Sequence, residues 1–505
     1  MKRLILIILI SVGCFTSCDD FLDVTPRAFI TPSNFYQSED DFDRAVAGIY
    51  QRNRSLFNSL MWQFGEMRSD NTSFFFNPND RGGFRVENID LFLMNTDNGR
   101  VAEFWNSLYN GISRCNYVLL QIDDVPFINE ENREIRRAEA LFLRSWFYFI
   151  LVQLWSDVPI SNAIINTPEE GLTDEFTDTR PAEDVYEFIL EDVQTAIDIL
   201  PQWEGADLGR ASRGAALMLK AKMYMALQEF ENAIPLLEEM QTLNYGLLDN
   251  YADIFDPANK NHMESVFEIQ YSFALNQSSN FLSAFVPWNS GTEILGLGQN
   301  AGPTAGRNQP TTDIINEYRD TDVRKEVGIA NFIVLNDEDD DSDNDTIPYL
   351  GKYAFPFEDI GAQDVNWPMF RFADALLMLA ESLNEVNALD QNAIGIVNII
   401  RLRAGVPPLS DASNDSSLIV SSQEELRQAI YRERRLELAF ENHRWFDLLR
   451  TGEAEEVMIA HGIQEEEEKG STIVVPGAYS NIRTVLPIPF VQVRDFGTEQ
   501  AEVWR

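Results

Sequence analysis

The chain has 505 residues, with 81 acidic and 39 basic side chains and a formal net charge of −42. A chain this acidic lacks the basic face that displaces counterions from nucleic-acid phosphates, and it is equally unsuited to anionic lipid headgroups. Its hydrophobic fraction, 45 %, is that of a folded globular protein, so the charge does not signal disorder.

The N-terminus reads as a targeting segment. Lys2 and Arg3 precede the apolar run Leu4 to Val12, which is too short to span a bilayer. Gly13-Cys14-Phe15-Thr16-Ser17-Cys18 follows, with no small-residue cleavage site in the next residues. A cysteine directly after the apolar run reads as a lipidation site, and Cys18 is chosen over Cys14. Residues 1–17 are then a lipoprotein signal peptide and residues 18–40 a tether. Two acyl chains on Cys18 suffice for stable anchoring. The body, residues 41–505, contains no apolar run of membrane-spanning length.

Helices dominate that body. Between Glu103 and Gln121, Trp105, Leu108, Tyr109, Ile112, Asn116 and Leu119 recur on one helical stripe. Glu130 to Trp155 predicts a second helix, polar at its start and aromatic at its end. A third opens at Arg180-Pro181 and is stopped by Pro201. Arg213 to Leu243 has the small and aromatic spacing of a tetratricopeptide-like helix pair: Ala221, Tyr224, a turn at Gln228-Glu229, then Phe230, Ala233 and Ile234. Between about residues 245 and 367 the chain turns loop-rich, with a strand predicted at Ser265 to Tyr271. There, Asn336 to Thr346 (NDEDDDSDNDT) is read as a solvated acidic loop, since the glycine and closing glutamate of a calcium loop are missing. Helices return at Phe370 to Asn387, Ala393 to Ala404 and, as one long helix, Gln423 to Leu449. In that last helix Glu441, Arg444, Asp447 and Arg450 alternate in sign every three residues, which predicts a partly buried ion network along its surface. His443 is assigned to the same helix as a structural residue.

Chemistry-bearing motifs are sparse. Cys115 is the single body cysteine, which excludes an intrachain disulfide there, and His262, His443 and His461 are far apart. HExxH, CxxC and GxSxG are all missing, so neither a cofactor nor a metal is expected and the chain is read as a non-enzyme. Two loop clusters have the composition of a sugar site, in which aromatic platforms meet apolar ring faces and polar groups bond hydroxyls. One is Asp70 to Arg85, with Phe74, Phe75, Phe76, Asn77, Arg81 and Arg85. At least one of the three consecutive phenylalanines is expected to be exposed. The other is Phe285 to Asn308, with Trp288, Asn289, Gln299 and Arg307. The acidity favours a neutral or cationic ligand; an acidic one needs a local basic patch, for which Arg81, Arg85 and Arg307 are the candidates.

Several segments, in order, resemble the SusD/RagB family of nutrient-binding outer-membrane lipoproteins of Bacteroidetes. They are Cys18-Asp19-Asp20-Phe21-Leu22-Asp23-Val24-Thr25-Pro26, the helix from Trp105 to Leu120, Ala138 to Pro159, Gly209-Arg210-Ala211 with the helix pair after it, Asn366 to Asn384, Asn398 to Gly405, Glu433 to Arg450, and Leu486-Pro487-Ile488-Pro489. The extreme C-terminus, ending Trp504-Arg505, departs from the family's usual pattern. The resemblance implies a mainly α, SusD-like fold: four degenerate tetratricopeptide-like helix pairs plus a loop-rich region with a few short strands. The scaffold is then placed at about residues 41–245 and 368–450, the ligand-side loops at 245–367 and a C-terminal segment at 451–505. It also implies a non-catalytic, lipid-anchored protein on the extracellular face of the outer membrane. Such a protein captures a glycan for a SusC-like TonB-dependent transporter barrel. A peptide ligand, or a helical-repeat scaffold for a protein partner, are the alternatives.

Overall fold

The computed structural model describes residues 35–74, 83–165, 167, 169–202, 207–288, 290–297, 305–334, 345–410 and 413–505. The signal peptide and Cys18 lie outside these residues. No helix among them is long and apolar enough to cross a membrane.

Among helices of eight residues or more, α1 is Glu39–Ser59, α2 Gly99–Gln121, α3 Glu130–Trp155, α4 Ala182–Ile199, α5 Arg213–Ala226, α6 Phe230–Gln241, α7 Phe372–Val386 and α8 Gln391–Arg403. α1 packs on α2, α3 on α4, α5 on α6 and α7 on α8, and each pair packs on the next. Local chemistry starts several of them: the side chains of Asn98, Asn129, Ser212 and Asp390 accept N–H groups of the first turns of α2, α3, α5 and α8. Close approach is set by small residues. A Cβ added at Gly111 of α2 would lie 2.5 Å from the Phe147 ring of α3. The fold is mainly helical, with the four expected helix pairs.

The loop-rich region is threaded through this scaffold by three two-stranded ribbons. β1 (Thr72–Ser73) pairs with β3 (Gln309–Pro310), β2 (Ser265–Ile269) with β6 (Trp367–Arg371), and β4 (Ile329–Val334) with β5 (Asp345–Leu350), all antiparallel. The acidic loop mostly lies outside the described residues; its last two, Asp345 and Thr346, open β5. β6 runs directly into α7. Its Trp367 is fully buried, stacked 4.6 Å from Tyr353 and edge-on to Phe281 at 4.9 Å. This aromatic cluster ties the loops to the helices. At the C-terminus, the Leu486 N–H donates to the Leu154 carbonyl (2.7 Å) and the Trp155 indole to that of Pro487 (2.9 Å), latching the last segment onto the end of α3.

The predicted helix 423–449 is two helices, α9 (Gln423–Glu437) and α10 (Arg444–Thr451), followed by α11 (Ala454–Lys469). Phe440 and Asn442, both at φ 71°, break it. A buried phenylalanine in that conformation is strained, and a distant residue holds it there. The Glu66 carboxylate accepts the N–H groups of Phe440 and Asn442, each at 2.8 Å. His443 sits at this break rather than within a helix. Burial pushes the Glu66 carboxyl up to about 7, against the three bonds it accepts from Asn71, Phe440 and Asn442.

The ion network of this segment is buried around Arg371 and partly buried at Arg444, Asp447 and Arg450, and most of it is long-range. Arg371 reaches Glu441 and Glu264 at 2.7 Å and Glu437 at 3.0 Å. Arg403 joins Glu264 and Glu437, Arg324 joins Glu433, Glu437 and Asp322, Arg401 joins Glu433, and Lys352 joins Glu441. Of the expected neighbour pairs only Asp447–Arg450 forms, at 2.8 Å. Arg444 instead grips Asp70, and Arg450 grips Glu381.

Removing one partner from such a cluster strands buried charges. Arg371→Met is expected to cost about 3–5 kcal/mol in denaturant unfolding, and a loss near zero would contradict the description. For Glu66 the sign follows from a raised folded pKa. Its contribution is complete below the unfolded value near 4.5 and is lost as pH rises through about 7. Between pH 5 and 8 the wild type should therefore lose stability relative to Glu66→Gln, measured by paired melts; a difference independent of pH would sink this assignment.

Candidate functional site

The β1–β3 ribbon is only two residues long, yet it joins the two loop clusters. Because it is antiparallel, the chain leaving Ser73 and the chain arriving at Gln309 emerge from the same end. Its base is firmly held. Asp70 is paired with Arg435 (2.9 Å) and Arg444 (2.7 Å), and its carbonyl accepts the Thr311 hydroxyl at 2.7 Å. Burial opposes the Asp70 charge, but the two guanidiniums hold its carboxyl well below the usual range. The Thr72 hydroxyl donates to the Asn308 side chain at 2.6 Å, and the Lys469 ammonium to the Ser73 hydroxyl at 2.6 Å.

Past the ribbon, the Phe74 N–H donates to Asp90 at 2.9 Å and its ring is buried. Phe74 is thus not the exposed member of the phenylalanine run. Burial, with Glu465 nearby, pushes the Asp90 carboxyl up to about 8. A carboxyl with a raised pKa near a loop is a candidate acid, but Asp90 is enclosed and anchors the backbone of the loop.

Phe75, Phe76, Asn77, Arg81, Asn289 and Gln299 lie outside the described residues, so three of the predicted contacts can be placed. Arg85 is exposed, its guanidinium 5.6 Å from the centroid of the exposed Phe84 ring and its carbonyl held by the Asn98 amide. Arg307 is half-buried, with Nη2 3.7 Å from where a Cβ on Gly83 would stand. Its N–H donates to the Ala284 carbonyl at 2.7 Å, while Gly306 donates to Val286 and Ala305 to Ser283. Val286 stands two residues before Trp288, which is 40 % exposed. The fold therefore brings Arg307 beside Gly83, next to Phe84 and Arg85, and bonds its stretch of chain to the segment that leads to Trp288. Phe84 was missed from sequence, although an aromatic beside Arg85 after two glycines was its available signal.

An edge of exposed aromatics and guanidiniums on rigid roots can stack on apolar ring faces and donate to hydroxyls. Among the described residues His443 is not part of a catalytic grouping. His443 is pushed down to about 4 by burial and lies 4.0 Å from Asp374, itself paired with Lys222 and Arg434. Among the described residues no three His, Cys, Asp or Glu side chains are grouped as a metal site.

Two family profiles match the chain: "Starch-binding associating with outer membrane" over residues 20–225 and "SusD family" over residues 336–494, together more than half its length. "SusD-like protein P25" of Formosa agariphila is 28 % identical over 498 residues, covering 90 % of each chain, and "SusD-like protein P38" of that organism is 26 % identical over 479 residues, covering 90 % of this chain and 92 % of its own. Among solved structures, a "Laminarin binding SusD-like protein" superposes with a TM-score of 0.75 at 23 % identity, covering 92 % of this chain and all of its own. "Surface glycan-binding protein A from Bacteroides thetaiotaomicron in complex with laminarihexaose" gives 0.70 at 20 % identity, covering 92 % of this chain and 99 % of its own. With ordered motifs, four helix pairs and both profiles in agreement, the chain belongs to the SusD/RagB family.

Proposed function

We propose that the protein is a non-catalytic, cell-surface lipoprotein that captures glycan at the β1–β3 loop edge and delivers it to a TonB-dependent outer-membrane transporter. The observation that carries this reading is the approach of Arg307, whose stretch of chain is bonded to the segment leading to Trp288, to the Gly83–Arg85 turn of a loop distant in sequence. The named ligands of two structural relatives, laminarin and laminarihexaose, support a glycan as ligand class, and the profile name supports an outer-membrane setting. Acylation of Cys18 supplies the anchor, and residues 19–40 supply the tether.

The chemistry is that of a lectin-like surface. Trp288 and Phe84 offer apolar faces to sugar C–H groups, while the arginines donate to hydroxyl oxygens. Nothing in this arrangement activates water or holds a nucleophile. The roots of both loops are fixed by ion pairs and strand pairing, which limits the ordering cost of binding.

Calorimetric titration with a panel of neutral oligosaccharides tests the reading. A binder is expected in the panel, with Trp288→Ala and Arg85→Ala each weakening it at least tenfold, about 1.4 kcal/mol. Failure of every glycan to bind, with peptides binding instead, would replace the ligand class. Product release from the same glycans by purified protein would overturn the non-catalytic assignment.

A further inference from the structure

A second concave site shares none of those loop residues. It lies between the outer face of α1, the turn at Leu208–Arg210, the end of β2 and the turn from Ser272 to Gln277, which is closed by a two-way backbone bridge. Its volume is about 580 Å³, within the range of small-ligand sites. Leu208 and Leu275, 46 % and 69 % exposed, stand among its lining residues as apolar surface.

Its charge runs against that of the whole chain. Arg44, Arg54 and Arg210 line it against one carboxylate, Glu268. Glu268 is already engaged, accepting the Asn261 N–H at 3.1 Å and the Asn366 amide at 2.7 Å. Arg114 adds positive charge from α2 by donating to the Gly48 carbonyl on the groove wall at 3.1 Å. Arg210 is neutralised by Glu139, and Arg44 makes one 3.5 Å contact with Asp41. Arg54 pairs with no carboxylate among the described residues, and burial lowers its affinity for the proton. Beside it in the lining is Asn53, 1 % exposed, whose oxygen accepts the Trp146 indole N–H at 3.2 Å. The Asn53 Nδ2 is enclosed and has no hydrogen-bond partner among the described residues. A half-desolvated guanidinium without an anion is a strong donor in waiting.

We propose that this groove binds an acidic oligosaccharide through its carboxylate or sulfate ester. Arg54 receives the anionic group, Gln51 and Gln277 meet hydroxyls, and Leu208 and Leu275 cover the apolar ring faces. The groove extends the glycan-capture reading to a second ligand class and rests on it for the choice of a saccharide over other anions.

Calorimetry on the full-length protein tests it, with trigalacturonate and a sulfated carrageenan tetrasaccharide as probes. One of them should bind, more weakly in 0.5 M salt, and at least tenfold more weakly in Arg54→Gln at an unchanged melting temperature. Should that variant melt early, Leu275→Asp repels the anion from an exposed position and should give the same loss. Saturating laminarihexaose, which reports on the loop edge, should leave the acidic ligand bound, so the two sites fail separately. The proposal is overturned by no binding of either probe or by unchanged binding in both variants. It is equally overturned by displacement with laminarihexaose, or by inorganic sulfate or hexaglutamate binding as tightly.

Discussion

Arg371 touches three separate parts of the chain at once. It closes β6, and its guanidinium meets Glu264 just before β2, Glu437 at the end of α9 and Glu441 in the break before α10. Around it, five cations (Arg324, Lys352, Arg371, Arg401 and Arg403) face five carboxylates (Glu264, Asp322, Glu433, Glu437 and Glu441), all buried except the partly buried Arg403. A hydrophobic cluster tolerates sliding; this one does not, because any shift that leaves a member unpaired strands a charge in a low-dielectric interior. The network thus fixes one register between the last helices and the loop-rich region, and Asp70 with Arg435 and Arg444 extends that register to the ribbon carrying the candidate loops.

The charge balance of the core also locates the acidity. Five cations cancel five carboxylates inside, so the net charge of −42 is carried by the rest of the molecule, largely its surface. A self-repelling acidic surface keeps a protein soluble and disfavours anionic ligands by default. Against that background the guanidiniums at the loop edge and those in the α1–β2 groove stand out as local exceptions to the acidity.

Much of the scaffold was legible in the sequence. Apolar stripes and caps mark the helices because their causes are local, and α3 runs from Glu130 to Trp155 as its pattern predicts. The break after Glu437 was not legible, since the carboxylate that holds Phe440 and Asn442 comes from Glu66, more than 370 residues earlier. The ion pairs failed for the same reason: charges spaced by three invite a local reading, while Glu441, Arg444 and Arg450 find tertiary partners. Loop composition put Arg85 in one cluster and Trp288 with Arg307 in another. Only the pairing of β1 with β3 makes them neighbours. The basic groove was invisible because its arginines come from α1, α2 and the turn at Arg210, which no local pattern brings together.

A rigid frame with function at its loop edge makes a specific demand on how the molecule responds to ligand. Hydrogen–deuterium exchange of the full-length protein, with and without a glycan found to bind, tests it most directly. The account predicts slowed exchange confined to the segments around residues 83–90, 284–290 and 305–310, with the helix pairs and the network around Arg371 unchanged. Protection spread over the helix-pair surfaces, with those three segments unaffected, would contradict it.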